Sequence, residues 1–220
     1  MNTGFARFRP DFETVARGVA VLNAEFLLLA LYLTVSNHQV GAIRYLLYPF
    51  VWINVAGYAV LKTDPVAQSD RQRYAAAAVA AGYFLVVGYF GGLYGPAMDM
   101  PGMPSTGFSI GWLPPGWGPA LLYGGEHVRL SLLPFKVVGY LGLAYLVYAT
   151  ILDAAGSAIS GIVGLFSCVS CSWPIVASLV TGVAGAGSGL ATTIASGSYD
   201  ISTVVFVVTV ALLYWRPTIR

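Results

Sequence analysis

Long apolar runs, broken only by short clusters of charge, constrain this chain more than any other feature of its sequence. Of 220 residues, 57% are hydrophobic and 9% are charged, and the mean hydropathy is +0.74. A soluble domain has roughly a quarter charged residues. Because these few charges cannot cover a water-facing exterior, the sequence predicts an integral protein of the cell membrane whose main contact is the lipid bilayer.

The apolar runs have the length of membrane-spanning helices, which need about 20 mostly apolar residues. Six such runs are present. They cover residues 15–34, 44–61, 74–93, 132–152, 160–181 and 199–215. We therefore predict an all-α fold in which residues 1–220 form a single transmembrane domain, a multi-pass bundle of six helices.

One connection, residues 94–131, is much longer than the others and contains six of the twelve prolines. Proline lacks a backbone donor, and unsatisfied backbone groups are not tolerated against lipid. This segment is therefore predicted as an ordered outer loop, rich in Gly and Pro, that lies over one mouth of the bundle. It is apolar enough to dock on the helices or on a partner subunit.

Basic residues near the ends of the predicted spans indicate the orientation, because they are enriched in cytoplasmic loops. With six spans, both termini lie on the same side as the second-to-third and fourth-to-fifth connections. The eight basic residues on that side are Arg7, Arg9, Arg17, Lys62, Arg71, Arg73, Arg216 and Arg220, and the three on the other side are Arg44, Arg129 and Lys136. The count predicts cytoplasmic N and C termini and an outer position for the long loop.

The only two cysteines, Cys168 and Cys171, lie in the predicted fifth span. A separation of three places both sulfurs on one helix face, within reach of a disulfide or of one soft ion. Pro174 follows and leaves a helix carbonyl without its usual donor. We interpret the pair as a mid-membrane ion or redox site. The simpler alternative is that cysteine packs there as a small hydrophobe.

A methionine cluster in the predicted outer loop is the second candidate site. Met98, Met100 and Met103 form an M-x-M-x-x-M pattern, and Met1 is the only other methionine. Thioethers are soft ligands suited to Cu(I). His127 lies in the same loop and adds an imidazole if the loop folds back. The pattern predicts copper binding, and the alternative is that these methionines fill gaps in packing.

Polar residues at membrane depth form the third group of candidates. Glu25 and Asn54 lie near the middle of the first and second predicted spans. A charge at the bilayer centre costs about 2.5–3.5 kcal/mol. Glu25 is therefore interpreted as a proton carrier, an ion ligand or a structural hydrogen-bond partner of Asn54. Lys136 and Asp200, near outer span ends, are predicted boundary markers or a pair.

The stretch from Pro134 to Pro174 carries a family resemblance. It includes GYLGLAYLVYATILD from Gly139 and SCVSCSWP from Ser167. It resembles an uncharacterised family of archaeal multi-pass membrane proteins, which implies a membrane fold but no activity. The cysteine pair followed by proline is also similar to sites in soft-metal transporters and in membrane thiol carriers, although the second cysteine pair of a transmembrane relay is absent here.

Several function classes are excluded by the sequence. It has no GxxxxGK[ST] loop, no HExxH helix and no basic run for nucleic acid, and a non-enzymatic role is favoured. The first hypothesis is handling of copper, captured outside by the methionines and passed to the cysteine pair. The second is a non-catalytic subunit or assembly factor of a larger, respiratory-type membrane complex that docks at the outer loop. The third is thiol–disulfide exchange.

Overall fold

The described part of the chain, in a computed structural model, comprises residues 12–36, 43–67, 69–97, 106–154 and 189–215. Its helices are α1 (Phe12–Ser36), α2 (Ile43–Leu61), α3 (Asp70–Phe90), α4 (Pro134–Ala154) and α5 (Gly189–Trp215). Its strands are β1 (Tyr94–Pro96), β2 (Gly107–Gly111), β3 (Ala120–Gly124) and β4 (Val128–Leu132). Helix α1 belongs to one compact unit, and the remaining elements form the other.

The prediction of an all-α bundle of six spans is wrong, because the strands between Tyr94 and Leu132 form a four-stranded antiparallel sheet of order β1-β4-β3-β2. The fold is therefore a mixture of helices and sheet. The prolines of this segment disfavour a spanning helix, but they do not prevent short strands. Pro96 ends an edge strand, and Pro114, Pro115 and Pro119 lie between β2 and β3, where no ladder hydrogen bond is lost. The cytoplasmic position of both termini was deduced from six spans and is not retained.

The apolar runs at 15–34, 44–61, 74–93, 132–152 and 199–215 overlap the five helices, and the run at 160–181 lies outside the described residues. Helix α5 begins at Gly189, ten residues before the predicted run. Among the described residues, three segments are long and apolar enough to cross a membrane by length and composition: Val15–Ser36, Asp70–Phe90 and Pro134–Asp153. The apolar helices Tyr45–Leu61 and Ser202–Tyr214 are shorter.

Helix α4 is the central helix of the larger unit and contacts α2, α3 and α5. Two glycines allow α2 to approach it closely. A Cβ atom at Gly139 would lie 2.5 Å from Cε3 of Trp52, and one at Gly142 would lie 2.8 Å from Cβ of Ala56. The Trp52 ring stacks on Phe206 of α5, with ring centroids 4.0 Å apart, so the same side chain joins three helices.

The contacts between helices define their directions. Near the start of α2, the Tyr48 hydroxyl donates a hydrogen bond to the Asp200 carboxylate of α5, and near its end the rings of Tyr58 and Tyr214 are 6.0 Å apart. Helices α2 and α5 therefore run in the same direction.

Helices α3 and α4 run in opposite directions. Gln72 near the start of α3 donates from Nε2 to the carbonyl of Leu152 near the end of α4, at 3.0 Å. At the other end, Lys136 of α4 donates from Nζ to the carbonyl of Gly91, directly after α3, also at 3.0 Å. The sheet is inserted between α3 and α4 at this second end.

One face of the sheet packs on the helices and the other is exposed. Ala120 and Leu122 of β3 are buried in the core together with Leu93 and Phe135. The cross-strand neighbours on the opposite face include exposed apolar residues: Phe108, Ile110 and Leu121. We call the buried side the inner face and the other the outer face.

Candidate functional site

The end of the sheet formed by the β3–β4 turn brings together chain segments that are distant in sequence. The backbone N–H of Ala97 donates to the carbonyl oxygen of His127 at 3.1 Å. This contact continues the antiparallel pairing in which Pro96 lies opposite Val128. At the start of β2, Gly107 pairs with Gly124, the last residue of β3. We call the end of the sheet defined by Ala97, Thr106, Glu126 and His127 the sheet tip.

The methionine site predicted from sequence, Met98, Met100 and Met103, lies outside the described residues. The residues that flank it, Ala97 and Thr106, both belong to the sheet tip. His127 was expected to reach the methionines only if the loop folded back. The antiparallel pairing of β1 with β4 brings the His127 backbone against Ala97, the residue that precedes Met98, and the contact of His127 with the methionines stays a prediction.

The side chains of the β3–β4 turn are accessible to a ligand. Glu126 and His127 are both exposed. Sequence reasoning missed Glu126, the residue that immediately precedes His127 in this turn. The signal that could have found it is the alternation of apolar and polar residues in Val128–Leu132, which indicates a strand and hence a turn just before it.

The other sulfur site, Cys168 and Cys171, also lies outside the described residues, as does Pro174. Among the residues that the structure describes, no three His, Cys, Asp or Glu side chains lie close enough together to hold a metal ion. Copper handling and thiol exchange through the cysteine pair therefore both stay predictions.

The two polar candidates, Glu25 and Asn54, belong to different units. Glu25 is a half-buried residue of α1. Asn54 lies in α2 and donates from Nδ2 to the carbonyl of Phe50 at 2.9 Å, one turn earlier in the same helix. This local hydrogen bond satisfies an amide donor of Asn54 within its own helix, as is common for polar residues in apolar helices.

A polar and aromatic cluster, which the sequence did not predict, joins the sheet to the helices. We call it the junction cluster and define it as Tyr45, Tyr48, Trp117, Lys136, Tyr199 and Asp200. Trp117 donates from Nε1 to the Tyr45 carbonyl at 2.7 Å, and its ring centroid is 4.8 Å from that of Tyr199. The segment between β2 and β3 is thereby attached to α2 and α5.

Lys136 and Asp200 were predicted as boundary markers or a pair, and each has a different partner. The Lys136 ammonium bonds to the Gly91 carbonyl and lies 5.6 Å from the ring centroid of Tyr199, a cation–π distance. Asp200 accepts from the hydroxyl of Tyr48. The two side chains therefore tie α4 to the end of α3 and α5 to α2.

The glycine at position 116 fixes how closely the segment after β2 lies on α2. Gly116 has a φ of +82°, and a Cβ atom there would overlap the ring of Pro49. Pro49 is a buried residue inside α2. Only glycine combines this backbone conformation with this contact, so the position is specified by both local geometry and packing.

The chain belongs to the family of unknown function DUF7546, which it matches over residues 1–220. Comparison with curated proteins and with solved structures gives no match. The description of the family names no activity, so the function is argued from the residues. The resemblance to archaeal membrane proteins stays a prediction.

Proposed function

We propose that this chain is a multi-pass membrane protein that handles a soft metal ion, and that this ion is Cu(I). Capture takes place at the sheet tip. The observation that carries the proposal is the hydrogen bond from Ala97 to His127, 3.1 Å long, because Ala97 immediately precedes the first methionine of the M-x-M-x-x-M pattern.

The ligand set fits the chemistry of copper. The thioethers of Met98, Met100 and Met103 are soft donors suited to Cu(I), and the imidazole of His127 binds both oxidation states. Consecutive Cα atoms are about 3.8 Å apart, which limits how far Met98 can lie from Ala97 and hence from His127. Glu126 adds a carboxylate at the same turn, which favours attraction of a cation before the sulfur ligands bind it.

Transfer of the ion to Cys168 and Cys171 completes the proposed path. Two thiolates three residues apart bind Cu(I) more strongly than thioethers do, because the thiolates carry charge. Movement from the methionines to the cysteines is therefore downhill in free energy.

Placement of the helices in a membrane is supported by their surfaces. Helices α3 and α4 have the length and composition of spans, and apolar side chains are exposed along them, among them Val79, Leu85, Val86, Val138 and Leu141. Burying such side chains in lipid stabilises the protein by about 25 cal/mol per Å² of apolar surface.

The proposal is tested by loading the detergent-purified full-length protein with Cu(I) under anaerobic conditions and counting bound copper. Wild type should retain at least one ion per chain. The triple variant Met98→Leu, Met100→Leu, Met103→Leu should lose the ion bound by the methionines, and Cys168→Ser with Cys171→Ser should lose the ion bound by the cysteine pair. Asp64→Asn, an exposed residue in the α2–α3 connection, is the matched control and should bind as wild type does. Wild-type protein that stays free of copper would refute the proposal.

A second candidate function, that of a non-catalytic subunit in a membrane complex, is favoured by the outer face of the sheet. Phe108, Ile110 and Leu121 are exposed on that face without a charged residue among them. This function predicts that the protein purifies in mild detergent with a fixed stoichiometry of another chain, and that Ile110→Lys removes that chain. Purification without any other chain contradicts it.

A further inference from the structure

Within the described residues, strand β2 forms one edge of the sheet. It pairs with β3 on one side, and no strand within the described residues pairs with it on the other. The opposite edge is protected differently, since β1 has only three residues and ends in Pro96. Short strands, prolines and charges are the devices that keep sheet edges from pairing. Strand β2 has five residues, GFSIG, with neither proline nor charge.

The sequence of β2 is complementary to itself. In an antiparallel pair of two β2 strands centred on Ser109, Phe108 of each copy lies opposite Ile110 of the other. Aromatic residues opposite β-branched ones are favourable cross-strand pairs. Within the sheet, Phe108 lies opposite Tyr123 and Ile110 lies opposite Leu121 on the outer face. These cross-strand neighbours would then be extended by Ile110 and Phe108 of the second copy.

The symmetry of such a pair suits a protein held in a membrane. A two-fold axis perpendicular to the sheet relates antiparallel strands and leaves both inner faces on the same side. The helices that pack on the inner face, through Ala120 and Leu122, therefore lie on one side of the joined sheet in both copies.

We propose that the partner of β2 is a second copy of this chain, and that the two copies form an eight-stranded sheet through antiparallel β2–β2 pairing. This inference does not depend on metal binding. It uses the open backbone edge for hydrogen bonding and the outer-face residues for register. The absence of charge in β2 means that no like-charge repulsion opposes the contact.

Cross-linking tests the register of the pair. In a Cys168→Ser, Cys171→Ser background of the full-length protein in membranes, Ser109→Cys should form a disulfide-linked dimer under mild oxidation, because directly opposite Cβ atoms are about 4.5–5.5 Å apart. Thr106→Cys is the matched control. Thr106 lies three residues from Ser109, so the two Thr106 positions of the pair are six residues apart along the strands. At about 3.3 Å per residue this is roughly 20 Å, and no disulfide should form.

The second arm of the test changes the charges on β2 and measures the molar mass of the protein in detergent by light scattering. Phe108→Lys with Ile110→Lys places Lys opposite Lys and should abolish the dimer. Phe108→Glu with Ile110→Lys introduces the same number of charges but places Glu opposite Lys, and should keep the dimer. The proposal is overturned if wild type is monomeric, if the two double variants have the same mass, or if Thr106→Cys cross-links as well as Ser109→Cys.

Discussion

The backbone N–H of Ala97 donates a hydrogen bond to the carbonyl oxygen of His127 at 3.1 Å. These residues are thirty positions apart in sequence, and the pairing of β1 with β4 brings them together. The contact matters because it sets the imidazole-bearing turn beside the residue that leads into the methionine pattern.

Replacing Gly139 by Ala should destabilise the helical part of the protein. The added methyl group would lie 2.5 Å from Cε3 of Trp52, and overpacking of this kind costs about 1–3 kcal/mol. Gly57 is the matched control, because it is also helical and a Cβ atom there meets nothing within 4 Å. Gly57→Ala should leave stability unchanged or raise it, by up to about 1 kcal/mol. Thermal unfolding followed by circular dichroism in detergent measures both, and equal midpoints would contradict this packing.

Replacing Gly116 by Ala should also destabilise the protein, for two reasons that a control can separate. Gly107→Ala has only the cost of a positive φ, roughly 1–2 kcal/mol, since φ is +88° and a Cβ atom there contacts nothing within 4 Å. Gly116→Ala adds the overlap with Pro49 and should therefore unfold at a lower temperature. A Gly116→Ala midpoint at or above that of Gly107→Ala would show that the β2–β3 segment does not lie on α2 as described.

Removing the ammonium of Lys136 should weaken the attachment of α4 to the end of α3. Lys136→Met keeps the length of the side chain but leaves the Gly91 carbonyl without this donor, which costs about 1–3 kcal/mol. Lys62→Met, at an exposed position beyond the end of α2, should change stability by less than about 0.5 kcal/mol. If chemical denaturation in detergent gives the two variants the same stability, the Lys136 contact has no energetic role.

Sequence reasoning located helices better than strands for a physical reason. A helix of 20 apolar residues produces a long signal, whereas β2, β3 and β4 have five residues each in a segment rich in glycine and proline. Such short strands depend on their neighbours for pairing, and a signal of that size is easily masked by nearby prolines. The alternation of apolar and polar residues in Val128–Leu132 is a strand signal of this small size.

The candidate site was predictable only in its chemistry. The sulfur pattern and His127 are visible in the sequence, but the contact between Ala97 and His127 follows from strand pairing. The junction cluster was not predictable at all, since Tyr48 and Asp200 are 152 residues apart and meet through the packing of α5 on α2. Each of these residues alone resembles an ordinary interfacial side chain.

Copper K-edge absorption of the anaerobically loaded full-length protein tests the central claim most directly. In a Cys168→Ser, Cys171→Ser background, the account predicts a Cu(I) spectrum with thioether sulfur and one imidazole nitrogen. His127→Asn should remove the nitrogen contribution and lower the affinity on the order of tenfold, equivalent to about 1.4 kcal/mol, without changing the unfolding midpoint. A copper environment without sulfur, or one that His127→Asn leaves unchanged, would contradict metal capture at the sheet tip.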